Sequence, residues 1–296
     1  MSELSDMIRS NFKKGDDERD KGLCTPKDIE RFDDISYGED LKWQILDVYR
    51  PKAAGNRKLP VIVSFHGGAW VYGDKERYQY YCMDLAQRGF AVVNFTYRLA
   101  PEFKFPSSLI DCNLVFSWIL THGKEYGLDL GNIFAVGDSA GAHALALYAA
   151  ALTNSEYAEK YPFVIPDNLK LNAVALNCGV AKVKLNDKDP RDLTGKIMKE
   201  YLPGGGTEEE IEMLSVIDYV TDEFPPAFIM TSLNDFLKME APVMAECLSQ
   251  NNVPFTYKLY GNKNEPLAHV FHCDIRTGAA QRCNDDETEF FRTYMK

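Results

Sequence analysis

Gly137-Asp138-Ser139-Ala140-Gly141 is the segment of this chain best suited to chemistry. It stands where a buried run, Asn132-Ile133-Phe134-Ala135-Val136, gives way to an alanine- and leucine-rich stretch from His143 that reads as a helix. A strand-to-helix turn this tight strains the serine backbone and leaves no room for large side chains two residues to either side. It lifts the serine Oγ above the sheet and turns the next N–H, that of Ala140, toward the reacting atom. Upstream, His66-Gly67-Gly68-Ala69-Trp70 follows Leu59–Phe65, whose apolar and β-branched residues predict a central strand. Acyl transfer needs N–H donors where the tetrahedral oxyanion forms, and losing one costs about 3 kcal/mol of barrier. Two glycines past a strand end let a ligand approach the backbone. Gly67, Gly68 and Ala140 are therefore the expected oxyanion donors.

A serine is a poor nucleophile near neutral pH without a base in hydrogen-bond reach. The chain has five histidines: His66, His122, His143, His269 and His272. His66 is committed to the glycine loop. His122 ends a predicted helix, where it serves as a charge partner. His143 lies one turn into the helix after Ser139 and is expected to point away from it. His269 and His272 remain, in the loop after the last predicted strand. Their i, i+3 spacing also suits a metal pair, but no further ligand cluster accompanies it. No metal or other cofactor is expected.

These residues need a scaffold. Strands are predicted near 32–37, 42–49, 61–65, 91–95, 133–136, 171–176, 227–232 and 255–259. Helices are predicted near 75–88, 107–121, 140–152, 240–250 and 286–294. Buried strands alternating with helices imply an α/β fold, a mostly parallel eight-stranded sheet with helices on both faces. Catalytic groups of such sheets lie beyond the carboxyl ends of the strands, and every candidate above falls there. Residues 1–296 read as a single domain. Residues 1–31 form a polar N-terminal helix or arm with an apolar stripe at Leu4, Ile8 and Phe12. The stretch between Leu176 and Ala227 is too long for one crossover; residues 179–222 read as an insert lining the site, with a short helix near Thr194–Tyr201.

His66-Gly67-Gly68-Ala69-Trp70, Tyr97-Arg98-Leu99-Ala100-Pro101-Glu102 and Gly137-Asp138-Ser139-Ala140-Gly141-Ala142-His143 together resemble the hormone-sensitive-lipase-like, acetyl-esterase branch of the α/β-hydrolases. The resemblance runs from about residue 40 to the C-terminus. It implies an α/β-hydrolase fold with a small cap, to which the N-terminal arm contributes. It implies that the base is His269, which precedes an x-Phe pair in His269-Val270-Phe271, and that the acid is Asp235, after the strand Ala227–Ser232. Chain order is then Ser, Asp, His. Asp218 and Asp222 precede that strand and are poorer candidates. Asp138 is expected to brace the elbow by bonding backbone. Trp70 and Asp138 are expected to border the substrate, and Arg98 and Glu102 to form structural ion pairs. The chain departs from the family at Ala69, where a third glycine is common.

Composition bounds the partners. The formal charge of −11 argues against nucleic acid and against anionic membranes. The N-terminus lacks the apolar core of a signal peptide, and no apolar run is long enough for a span. Seven scattered cysteines, odd in number and without a C-x-x-C pair, suggest reduced thiols and a cytoplasmic location. The expected partner is a small-molecule ester, and the expected activity a serine carboxylesterase with a preference for short acyl groups. The same machinery would serve an arylformamidase or a peptidase. A non-catalytic binding protein on this fold would not need His269.

Overall fold

The alternation of apolar runs and helices produces one eight-stranded sheet in the computed structural model of the protein, which describes residues 2–185 and 192–296. The strands are β1 (Ile29–Ser36), β2 (Ile45–Pro51), β3 (Leu59–Phe65), β4 (Ala91–Phe95), β5 (Leu128–Asp138), β6 (Ala173–Asn177), β7 (Ala227–Ser232) and β8 (Phe255–Tyr260). Their order across the sheet is β1-β2-β4-β3-β5-β6-β7-β8. The first two pairings, β1 with β2 and β2 with β4, are antiparallel. All others are parallel. The expected sheet is present in type and in strand number.

The helices are α1 (Glu3–Arg19), α2 (Lys75–Gln87), α3 (Ser107–His122), α4 (Ala140–Thr153), α5 (Ser155–Ala158), α6 (Leu193–Tyr201), α7 (Glu208–Met213), α8 (Glu240–Gln250) and α9 (Gly278–Arg292). One hydrophobic cluster gathers Val61, Val63 and Phe95 of the sheet with Leu109, Phe116 and Leu145 of α3 and α4. A second, on the other face, joins Ile62, Val92, Phe134 and Phe228 to Met83 and Leu85 of α2 and Phe291 of α9. Because both faces are covered, β4, β6 and β7 are buried at every residue. Strand β8 alternates exposed and half-buried residues, as an edge strand does.

Two elements differ from the sequence expectation. Helix α9 begins at Gly278, eight residues before the predicted start, because the Thr277 side chain caps it by accepting the Ala280 N–H. The stretch between β6 and β7 carries α7 besides the expected α6, and Thr207 and Glu210 close a reciprocal capping box on it. Residues 186–191 of the expected insert lie outside the described residues. No described helix is long and apolar enough to cross a membrane.

Candidate active site

Ser139 is the junction of β5 and α4, with φ 52° and ψ −119°. Its N–H is held by the Asn177 carbonyl of β6 at 2.9 Å. A Cβ on Gly141 would lie 2.1 Å from the Phe65 carbonyl oxygen, and one on Gly137 2.6 Å from the Gly141 carbonyl oxygen. The two glycines therefore let β3, β5 and α4 close on one another, and the closure is what forces the serine into its strained backbone.

The loop after β3 is equally tight. Gly68 has φ +128°, and a Cβ there would sit 2.0 Å from the Tyr72 carbonyl oxygen. Ala69 and Trp70 also have positive φ, 53° and 60°. His66 braces this loop as expected. Its Nδ1 donates to the Gly67 carbonyl at 2.8 Å, and its ring stacks on Tyr97 at 4.0 Å. Burial keeps the imidazole neutral, with a pKa lowered to about 4.

One expected oxyanion donor is otherwise engaged. The Gly67 N–H donates to the Tyr78 hydroxyl oxygen at 2.9 Å, and that hydroxyl donates to Asp138 Oδ2 at 2.8 Å. Among the described residues, the N–H groups of Gly68 and Ala140 have no such partner. Asp138 also departs from expectation, since its carboxylate meets a phenol and not backbone. It is buried, and burial pushes its carboxyl up to about 6 against the pull of Tyr78 and His269.

His269 follows β8, and Asp235 follows β7. His269 Nδ1 donates to Asp235 Oδ1 at 2.7 Å. Asp235 also accepts the Leu237 N–H at Oδ1 and the Thr231 hydroxyl at Oδ2, each at 2.8 Å. Burial raises its pKa, but the bond and charge of His269 and the two further donors outweigh burial and hold it below the usual carboxylate range. The exposed ring of Phe236 lies 4.3 Å from that of His269.

The other sequence candidates fall elsewhere. His272 is buried with its ring edge-to-face on Tyr81 at 5.1 Å, and burial lowers its pKa to about 3. His143 accepts the Trp70 indole N–H at 3.3 Å and donates to the Leu214 carbonyl at 2.8 Å. His122 meets Glu125 at the surface. Asp218 pairs with Lys182, and Asp222 is exposed. Arg98 pairs with Asp111 and Glu102 with Arg9.

Two lobes of cavity meet at Ser139, and Asn11, Phe12, Ala69 and Phe236 border both. The first, about 310 Å³, is lined by His269, Gly67, Gly68 and Asp138 and by Asp16, Arg19 and Tyr72. The second, about 330 Å³, has walls of Trp70, Ile8, Val183, Leu193 and Ile197, an apolar lobe that Lys182, Lys184 and Glu240 also border. Trp70 borders this second lobe, and its ring stacks on Tyr201. The sequence gives no sign of Tyr78, since nothing marks that position within α2. Helix α1 lines both lobes; the sequence marked its stripe at Ile8 and Phe12 and the resemblance implied an arm in the cap, but neither named the residues that reach each lobe.

Helix α1 is fastened across the cavity. Arg9 donates to the carbonyls of Val71 and Ala100 and to both Glu102 oxygens. Ser2 bonds Glu200 of α6. The Tyr72 hydroxyl donates to Asp16 Oδ2 at 2.8 Å, and Arg19 bridges Asp16 and Asp20. Below the elbow lies a second buried carboxyl. Glu287 of α9 accepts Asn177 Nδ2 at 2.6 Å and the Tyr81 hydroxyl at 3.1 Å. Burial pushes it up to about 7.

Two groups of potential metal ligands lie near the elbow: Cys178, Asp235 and His269, and Asp138, His272 and Cys273. Burial raises both thiols well above their usual pKa, which disfavours the thiolates a metal would need. Asp235 and His269 are already bonded to each other.

A profile of the BD-FAE family matches residues 46–239. The chain is 28% identical over 207 residues to the esterase LipQ of Mycobacterium tuberculosis, a match covering 68% of this chain and 48% of that protein. It is 26% identical over 244 residues to the tuliposide A-converting enzyme 1 of Tulipa gesneriana, covering 75% and 59%. The chain therefore spans only about half to three fifths of these relatives. Among solved structures, an inhibited esterase B of Lactobacillus rhamnosis superposes with a TM-score of 0.89 at 24% identity, over 99% of this chain and 97% of that one. The Pyrobaculum calidifontis esterase superposes with a TM-score of 0.77 at 22% identity, over 99% and 93%. These likenesses establish the α/β-hydrolase fold.

Proposed function

The chain belongs to the BD-FAE family, within the esterase branch of the α/β-hydrolases, and from that premise we propose that it is a serine carboxylesterase acting on small esters. The observation that carries this reading is the His269–Asp235 pair, whose histidine borders the same cavity as a serine held on a strained elbow. A protein that only bound a ligand would have no use for a carboxylate that orients an imidazole beside a serine.

In the proposed reaction His269 Nε2 takes the proton of Ser139 Oγ as that oxygen attacks the ester carbonyl carbon. Asp235 keeps the Nδ1–H tautomer in place and stabilises the imidazolium that forms. The oxyanion is met by the N–H groups of Gly68 and Ala140. His269 then returns the proton to the leaving alcohol. Water, activated by the same imidazole, releases the acid from Ser139.

The charged composition of residues 179–222 and the methyl of Ala69 favour acyl groups of about two to four carbons. The apolar lobe widens that range. At about 330 Å³ it is more than twice the roughly 150 Å³ cavity that accepts a benzene ring. The proposed substrates accordingly run from acetyl to about octanoyl esters. Esterase B has been solved inhibited by a tributyrin phosphonate, and a reagent of that kind provides the test here. It should attach to Ser139, and p-nitrophenyl butyrate hydrolysis should vanish in Ser139→Ala. Attachment at another residue, or turnover retained by the variant, overturns the reading.

A further inference from the structure

The two lobes differ in their relation to His269, and its position decides what each one does. The carbon attacked by Ser139 carries three groups besides the serine: the oxyanion, the acyl chain and the leaving oxygen. The leaving oxygen must come within about 2.6–3.2 Å of the base that protonates it. His269 borders the polar lobe and not the apolar one. The alcohol therefore occupies the polar lobe and the acyl chain the apolar lobe.

On that assignment, which rests on the esterase reading above, we propose that the first helix makes the enzyme select alcohols bearing further hydroxyl groups, with Asn11 and Asp16 as the determinants. Asp16 lines the polar lobe, accepting Arg19 at one oxygen and the Tyr72 hydroxyl at the other. Each carboxylate oxygen has a second lone pair that a substrate hydroxyl can use. Among the described residues the Asn11 side-chain amide has no hydrogen-bond partner, and it stands on the same helix where the two lobes meet. Arg19 is spent on Asp16, Asp20 and the Arg77 carbonyl, so the lobe does not offer a free cation for an anionic alcohol. The rings of Phe12, Tyr72 and Phe236 supply apolar wall for the carbon skeleton. An alkyl alcohol of the same size would strip water from Asp16 and Asn11 and return no hydrogen bond, and that difference is the source of selection.

The test compares 1-butyrylglycerol with n-pentyl butyrate, whose alcohols have the same number of heavy atoms. The expected kcat/KM ratio is about tenfold or more in favour of the glycerol ester. Asn11→Leu, an exposed position whose change should not disturb folding, should bring the ratio toward one, and Asp16→Asn should lower it as well. Leu193→Trp, at the mouth of the apolar lobe, should depress octanoate relative to acetate esters and leave the alcohol ratio unchanged. A wild-type ratio near one or inverted overturns the proposal. So does the crossed result, in which Leu193→Trp moves the alcohol ratio and Asp16→Asn the acyl profile. Failure of the underlying reading looks different: no ester is turned over and the phosphonate leaves Ser139 unmodified.

Discussion

At the scale of single residues, the two loop histidines make the sharpest contrast. His269 meets Asp235 and the cavity, whereas His272 is buried against Tyr81 and borders neither lobe. His269→Ala should lose about three orders of magnitude or more in kcat, and His272→Phe should stay within about tenfold of the wild type. The reverse ranking in steady-state assays would move the base three residues downstream. Asp235→Asn should fall by about 10⁴, since it disturbs the tautomer that His269 must hold. Near-normal turnover by that variant would exclude Asp235 as the orienting acid. Tyr78→Phe strands the Asp138 carboxyl and the Gly67 N–H together. Urea unfolding should register a loss of about 1–3 kcal/mol, and an unchanged midpoint would show that neither group depends on the phenol. Ser139 was legible in the sequence because flanking glycines record backbone crowding. The preference for His269 over His272 came from the resemblance, through the x-Phe pair after His269; spacing alone did not supply it, because two residues three apart in a loop carry no mark of which one turns inward. The engagement of Gly67 was equally hidden, as its partner lies eleven residues on, on a different element.

At the scale of elements, the elbow depends on more than its own turn. Strand β6 holds the Ser139 N–H through the Asn177 carbonyl, and α9 holds the Asn177 side chain through Glu287. The Glu287 carboxyl is raised by burial from the ordinary 4.5 to about 7. Between those values the folded chain keeps a proton that the unfolded chain has lost, so this residue lowers stability as pH rises from about 4.5 through about 7. Glu287→Gln stays neutral throughout. Its Tm advantage over the wild type should grow between pH 5.5 and pH 8 by about 3 °C or more. A difference independent of pH would show that Glu287 keeps the same protonation in the folded and unfolded chain. The strands were well marked in the sequence because burial on both faces leaves continuous apolar runs. The start of α9 was not, because Gly278 at its first position and a first turn without large apolar residues hide a helix that a threonine side chain begins.

At the scale of the whole molecule, cavity size sets the range of substrates. With p-nitrophenyl esters, kcat/KM should hold from acetate through about octanoate and then decline, each methylene adding at most about 1 kcal/mol while it still fits. A continued rise to dodecanoate would show that the apolar lobe is open-ended. The fold class was readable because helix and strand periods alternate along the chain, but the lobes were not, since their walls come from segments more than two hundred residues apart. That separation has a consequence for how such a chain can change. The proposed reacting groups stand at residues 68, 139–140, 235 and 269, in turns and loops that follow strands of the buried sheet. Much of the wall that meets substrate belongs to residues 7–19, a helix fastened largely by ion pairs and backbone bonds at its margins. On the proposed reading, the reaction and much of the substrate choice are thus encoded in different stretches of sequence. A lineage could exchange the codons for this one helix and acquire a new diet while inheriting the old reaction intact.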